Sequence, residues 1–305
     1  MHVETPLIES LPLSAKAGFQ ILLKLEAVQP TGSFKARGVG HACVEYQKRG
    51  AKRFISSSGG NAGLAVAYSG RRLGVPVTVV VPKTTTPRAK RLIEMEGAEV
   101  IVHGDAWNEA NARALTLVDA DSAFIHPFDD PLLWAGHATL VDELARQTDK
   151  PDAIVLSVGG GGLLCGVCEG LKRNGWRDVA VVAAETRGAD SYSQALAAGK
   201  PVLLPGIESI ASSLGARAVC QESVEWARQL QIGSVVVSDA QAVSGCLTLL
   251  EEHRLLTEPA CGASVAATTE KSSVLSRAKR VVVVVCGGVG VNYRQLLDWD
   301  AAFRA

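Results

Sequence analysis

The chain has 305 residues with 31 basic and 31 acidic side chains, so its formal net charge is zero, and 47% of it is hydrophobic. A balanced charge without a basic run leaves no electrostatic footprint for nucleic acid or an anionic membrane surface. The length fits one large or two modest α/β domains, and the longest apolar runs, such as Val281 to Val285, fall far short of a bilayer span.

The N-terminus, Met1 to Pro6, has no basic region followed by an apolar stretch, so no secretory signal is expected. Seven cysteines, an odd number at scattered spacing, point to reduced thiols and a cytoplasmic protein. Cys165 and Cys168 form a CxxC inside a predicted helix. With no second CxxC and no HxxxH, they read as small packing residues.

In chain order, β-branched runs predict strands at Ile21–Glu26, Arg53–Ser58, Val77–Pro82, Glu99–His103 and Ala123–Pro127. Further runs predict Ala153–Val158, Val179–Glu185, Ser234–Ser238 and Arg280–Val285. Helical patterns lie between them at Ala62–Leu73, Pro87–Glu96, Trp107–Asp119, Leu132–Gln147 and Leu163–Asn174. The strands are continuous Val/Ile runs without alternation, which predicts parallel sheets covered on both faces. The expected class is α/β with doubly wound open sheets. Two βα blocks are visible, one over residues 34–128 and one combining 1–33 with 129–305. No flexible linker or short repeat separates them.

Ligands of such sheets sit at the carboxyl ends of the strands. The first unusual segment there is Pro30-Thr31-Gly32-Ser33-Phe34-Lys35-Ala36-Arg37-Gly38. Thr31 or Ser33 is expected to cap a helix, which puts Lys35 in the first turn, at the positive end of the dipole. With burial, that setting favours the neutral amine that an imine requires. From this segment alone, a solvated lysine beside a turn is the simpler reading.

The second segment, Ser56-Ser57-Ser58-Gly59-Gly60-Asn61-Ala62-Gly63, offers bare backbone amides at a helix start and suits a carboxylate. The third, Gly159 to Gly162, follows an apolar strand and opens a helix. Four glycines in a row cost chain entropy, and a phosphate cradle accounts for that cost. The fourth places Cys286 at the end of the last strand, before Gly287 and Gly288. By itself a buried cysteine there is a small hydrophobe.

Taken together, these loops resemble the fold-type II pyridoxal-phosphate (PLP) family, which is tryptophan synthase β-like in fold, and within it the serine/threonine dehydratases. The resemblance rests on Ser33 to Gly38, Ser57 to Gly63 and Gly159 to Gly162. It also rests on His126-Pro127-Phe128-Asp129-Asp130-Pro131 and Ala184-Glu185-Thr186-Arg187-Gly188-Ala189, and it covers almost the whole chain. It implies α,β-elimination from L-serine, with L-threonine as a second candidate, to pyruvate or 2-oxobutanoate and ammonia.

On that resemblance Lys35 carries PLP as an imine and later removes the α-proton. Phe34 flanks the ring and Asn61 lies near its 3′-oxygen. Gly159, Gly160, Gly161 and Gly162 hold the phosphate, and Cys286, with Gly287, meets the pyridine nitrogen. Ser58, Gly59, Asn61 and Ala62 clamp the substrate carboxylate. Residues 1–33 with 129–305 form a large PLP-binding domain, and residues 34–128 a small substrate-clamping domain. Glu185, Ala189 and Ala211 resemble a cation site for K⁺, with a divalent ion as the second candidate. Glu185 also reads as a solvated strand-end residue or a salt-bridge partner. A homodimer is expected.

Two departures stand out. Gly59 replaces a common alanine and is expected to open space beside the substrate, and Ala135 replaces an acidic residue before Gly136-His137.

Rival readings remain. A nicotinamide-dependent oxidoreductase would use the glycine run and Glu185, but no GxGxxG register fits: one frame ends on Leu164, the other on Cys165. Serine racemase, threonine synthase and β-replacement keep the cofactor, and Cys286 weighs against the racemase. A non-catalytic PLP-binding paralogue would have no need of Lys35 and both loops.

Overall fold

The computed structural model describes residues 1–270 and 272–304. The chain begins with strand β1 (Leu7–Glu9), helix α1 (Leu11–Ala17) and strand β2 (Gln20–Lys24). Then follow α2 (Lys35–Lys48), β3 (Arg53–Ser56), α3 (Asn61–Leu73), β4 (Val77–Val81), α4 (Pro87–Met95), β5 (Glu99–Val102), α5 (Trp107–Leu115) and β6 (Ser122–Phe124). The remainder comprises α6 (Pro131–Gln147), β7 (Ala153–Ser157), α7 (Gly162–Arg173), β8 (Ala180–Thr186), α8 (Ser191–Ala198), α9 (Gln221–Trp226) and β9 (Ile232–Val237). It closes with α10 (Asp239–His253), α11 (Pro259–Ala266), β10 (Arg280–Val284) and α12 (Tyr293–Arg304).

Two sheets result. One has six strands in the order β1-β2-β10-β7-β8-β9, parallel except where β1 runs against β2. The other has four parallel strands in the order β5-β4-β3-β6. Every residue of β4, β7 and β8 is buried, which the valine-rich runs anticipate for strands covered on both faces. One core surrounds the six-stranded sheet and a second the four-stranded sheet, and Trp134 packs against both.

Several boundaries differ from expectation. The strand at Arg53 stops at Ser56, and the one at Ala123 stops at Phe124. There His126 Nδ1 accepts the amides of Phe128 (3.3 Å) and Asp129 (2.7 Å) and turns the chain out of the sheet. Neither Thr31 nor Ser33 caps α2. The cap position is Phe34, with no side-chain bond, and Ser33 Oγ is buried without a partner. The reason is a tertiary anchor. Ser33 bridges Gly287, and Phe34 N donates to Cys286 O at 3.1 Å, so the end of β10 dictates how the chain meets the helix.

Helix α2 is also fixed along its length. A Cβ on Gly38 would lie 2.6 Å from Leu133 O, and one on Gly136 would lie 2.7 Å from Arg37 O. Only glycine at both positions lets α2 and α6 cross backbone to backbone. Arg37, fully buried, pairs with Glu26 (2.7 Å) and Glu143 (2.6 Å), and Glu143 also pairs with Lys24 at 2.6 Å. This network ties α2 to β2, α6 and the segment after β2.

Candidate active site

Lys35 is the first residue of α2 and is half-buried. Its Nζ donates to Pro127 O at 2.5 Å and lies 5.0 Å from the centroid of the Phe34 ring. Burial lowers its pKa to about 8. The neutral amine is therefore accessible near neutrality. His137 packs against Phe34, the ring centroids 5.0 Å apart. Burial, followed by the charges of Lys35, Arg37 and His2, holds His137 well below the usual histidine range, and neither ring nitrogen has a partner. A neutral imidazole adds no second positive charge beside Lys35.

The segment after β3 forms the second part. Ser57 Oγ donates to Asn111 Oδ1 at 2.7 Å, and Gly60 N donates to Ser58 Oγ at 3.3 Å. Leu64 N is the first amide bonded back into α3, to Gly60 O at 3.1 Å. Helix geometry therefore leaves the amides of Asn61, Ala62 and Gly63 pointing out of the helix start. A Cβ on Gly63 would sit 1.7 Å from Ser58 O, so the loop doubles back closely only with glycine there. The space expected beside Gly59 is not open. Thr85 occupies it, and an alanine methyl would lie 2.6 Å from Thr85 Oγ1.

The glycine run after β7 is equally constrained. A Cβ on Gly160 would enter the Phe128 ring at 2.2 Å, and one on Gly162 would meet Phe128 O at 2.6 Å. Gly161 has φ +93°, and a Cβ on Gly159 would crowd Ser213 O at 3.0 Å. Cys165 N bonds to Gly161 O at 2.9 Å, leaving the first amides of α7 free at the positive end of a 12-residue helix. Phe128 therefore links this run to Lys35, whose amine bonds to the neighbouring Pro127.

Cys286 is buried at the end of β10. Its bond with Cys261 and its burial push the thiol pKa up, so it stays neutral. Gly287 follows at φ +87°, where a Cβ would strike Gly32 O at 2.3 Å. The geometry thus joins Phe34, Lys35, Gly160 and Cys286, while Asn61 reaches the same region through Val289 N, which donates to its Oδ1 at 3.1 Å.

The expected cation residues lie further along the sheet. Glu185 is fully buried in β8 and accepts amides from Tyr192 (2.8 Å) and Ser193 (2.7 Å) at the start of α8. Burial pushes its pKa up to about 8 despite those bonds. Ser191 Oγ, also buried, has no partner. Ala189 is tied to the same strand through its bridge with Thr186. Ala211 belongs to a separate turn, its amide held by Ser209 Oγ at 3.0 Å. Among the described residues no group of three or more His, Cys, Asp and Glu could hold a metal ion. A cation here would rely on one carboxylate with carbonyl and hydroxyl oxygens, a donor set suited to K⁺.

Sequence reasoning missed Glu258, whose two carboxylate oxygens both accept from Asn61 Nδ2, at 3.1 and 3.3 Å. The available signal was an acidic residue at the head of the otherwise small and apolar stretch Pro259-Ala260-Cys261-Gly262.

A buried lysine amine, an aromatic face and a glycine cradle of free amides suit a flat aldehyde bearing a phosphate. The family model described as "Pyridoxal-phosphate dependent enzyme" matches residues 2–287, and the chain belongs to that family. Membership decides against the nicotinamide reading of the glycine run. Within the family, the chain is 48% identical over 307 residues to a protein of Mus musculus named serine dehydratase-like, covering 97% of this chain and 93% of that one. It is 44% identical over 310 residues to L-serine dehydratase/L-threonine deaminase of Bos taurus, covering 97% and 94%. The crystal structure of a fungal L-serine ammonia-lyase from Rhizomucor miehei superposes with a TM-score of 0.93 at 36% identity, covering 98% of both chains.

Proposed function

We propose that this chain is an L-serine ammonia-lyase that eliminates water and ammonia from L-serine, with L-threonine as a second substrate. The observation that carries the proposal is Lys35. It is a half-buried lysine whose amine has its pKa brought down to about 8 by the surrounding protein, beside an aromatic face and joined to the glycine run through Pro127 and Phe128. The relatives' names support the choice of reaction.

Lys35 would carry pyridoxal phosphate covalently, and the amides around Gly159, Gly160, Gly161 and Gly162 would hold its phosphate. Phe34 would lie against the ring. Bound there, the cofactor would supply the electron sink that stabilises charge left at the α-carbon. Lys35 Nζ, whose neutral form burial brings within reach, would take the α-proton. Ser58, Gly59, Asn61 and Ala62 hold the substrate carboxylate with helix-start amides. Cys286 would present a neutral thiol to the ring nitrogen, a weaker partner than a carboxylate, which would favour elimination over transamination.

The direct test is a keto-acid assay on L-serine and L-threonine, with and without K⁺. Pyruvate and 2-oxobutanoate are the expected products. An amino-acid product with no keto acid would instead favour racemisation or β-replacement.

Gly160→Ala is expected to weaken retention of the cofactor at least about ten-fold, because the methyl group must displace Phe128 from the loop. Absorbance titration of the cofactor into the variant reads this, and unaltered affinity would remove the loop from the phosphate site.

Glu185, Ala189 and Ala211 belong to the proposal as a K⁺ site. KCl is expected to raise Tm by several degrees over LiCl at equal ionic strength, since an ion at about 100 Kd adds about 2.7 kcal/mol. Glu185→Gln should abolish the difference, and equal melting in both salts would remove the site. The proposed assembly is a homodimer, which light scattering tests. Among the described residues no helix is long and apolar enough to cross a membrane.

A further inference from the structure

Glu258 stands outside every group assigned above to substrate, cofactor or cation. It precedes Pro259 at the start of α11 and is 5% exposed. Its carboxylate accepts hydrogen bonds from Asn61 Nδ2, from Gly290 N at 2.5 Å and from Ser213 Oγ. A Cβ on Gly288 would lie 2.2 Å from Glu258 Cδ, so the last loop closes over the carboxylate only because it carries glycine there. The donors are all neutral. A buried anion held by neutral donors costs free energy that a packing role does not require.

The position of these groups gives the cost a purpose. Asn61 and Arg88 stand on the four-stranded unit, while Glu258, Ser213 and the Gly288–Gly290 loop stand on the six-stranded one. Asn61 Nδ2 points to Glu258 and its Oδ1 takes Val289 N, and Arg88 Nη1 donates to Val289 O. Because the amide has one donating and one accepting end, the carboxylate fixes which way Asn61 faces.

We propose that Glu258 is a positioning residue that latches the four-stranded unit to the six-stranded one by orienting Asn61 between them. The proposal rests on the reading of Asn61 as a site residue. Charge-assisted hydrogen bonds are about twice as strong as neutral ones. Removing the charge while keeping the shape therefore loosens closure without emptying the site. Apparent substrate affinity then falls with the closed fraction, and turnover of bound substrate does not.

Glu258→Gln provides the test, since the Ser213 hydroxyl can rotate to accept from the new amide. Hydrogen exchange on the full-length protein as purified is expected to quicken at least about ten-fold over residues 59–64 and 288–291. KM for L-serine is expected to rise about ten-fold with kcat within about three-fold, and the cofactor absorbance to stay unchanged. In an Asn61→Ala background the same replacement should add less than about two-fold to exchange. Unchanged exchange and KM would overturn the latch. So would a collapse of kcat with unchanged exchange, which would place Glu258 on the reacting atoms. A missing cofactor band in the unsubstituted protein would instead defeat the proposed function, while the exchange result still decides the latch.

Discussion

Lys35→Ala is expected to lower keto-acid formation from L-serine at least about 10³-fold, because one side chain serves as covalent anchor and as base. Lys35→Arg should fail equally, since a guanidinium cannot shed its proton. Burial has brought the Lys35 pKa to about 8. The ordinary lysine value is higher, so the charged form dominates below about 8 and the neutral amine above it. The rate at which cofactor-free protein takes up pyridoxal phosphate should therefore rise as pH passes through about 8. Stopped-flow absorbance reads that rate, and a flat profile from pH 6 to 10 would contradict the assignment. Residual turnover above about 1% in Lys35→Ala would contradict its role as base.

Arg37→Met is expected to have the largest effect on stability. Arg37 is fully buried and its guanidinium bonds to both Glu26 and Glu143. Burial works against its charge, but the two carboxylates hold its pKa above the ordinary value. Removing it leaves Glu26 and Glu143 facing each other's charge with Lys24 as the remaining cation. Breaking such a buried pair costs about 3–5 kcal/mol, which corresponds to a fall in Tm of about 5–8 °C for a chain of this size.

The pH dependence has a definite sign. Burial pushes the Glu143 pKa up, but bonds from Arg37 and Lys24 outweigh it and leave the carboxyl below its usual value of 4.5. A depressed carboxyl contributes stability above the unfolded value and loses it as pH falls through the folded one. The acid limb of Tm against pH should therefore be shallower in Arg37→Met. Calorimetry from about pH 7 down to about pH 2, through the range below 4.5 where the loss falls, reads both effects, and a Tm drop under about 2 °C would show that the network does not hold α2.

Much of the architecture is legible in composition. Val281 to Val284 announces a strand buried on both faces, and β10 is central to its sheet for that reason. The glycine run and the Ser56–Gly63 loop are legible because unusual backbone demands leave unusual residues. The cap of α2 is not, because Cys286 and Gly287 override the local preference of Thr31 and Ser33. Glu26, Lys24, Arg37 and Glu143 look like ordinary surface charges in the sequence, and only the fold brings them into one buried cluster. Glu258 is hidden for the same reason: its partner Asn61 lies 197 residues away. The expected opening beside Gly59 fails because Thr85, on another loop, fills it.

The most direct measurement is borohydride reduction of the purified holoprotein followed by peptide mapping. A pyridoxyl phosphate adduct on Lys35, with loss of turnover in proportion to labelling, is the predicted result. Label on another lysine, or an unlabelled Lys35 in protein that still forms pyruvate, would contradict the chemistry assigned to this site.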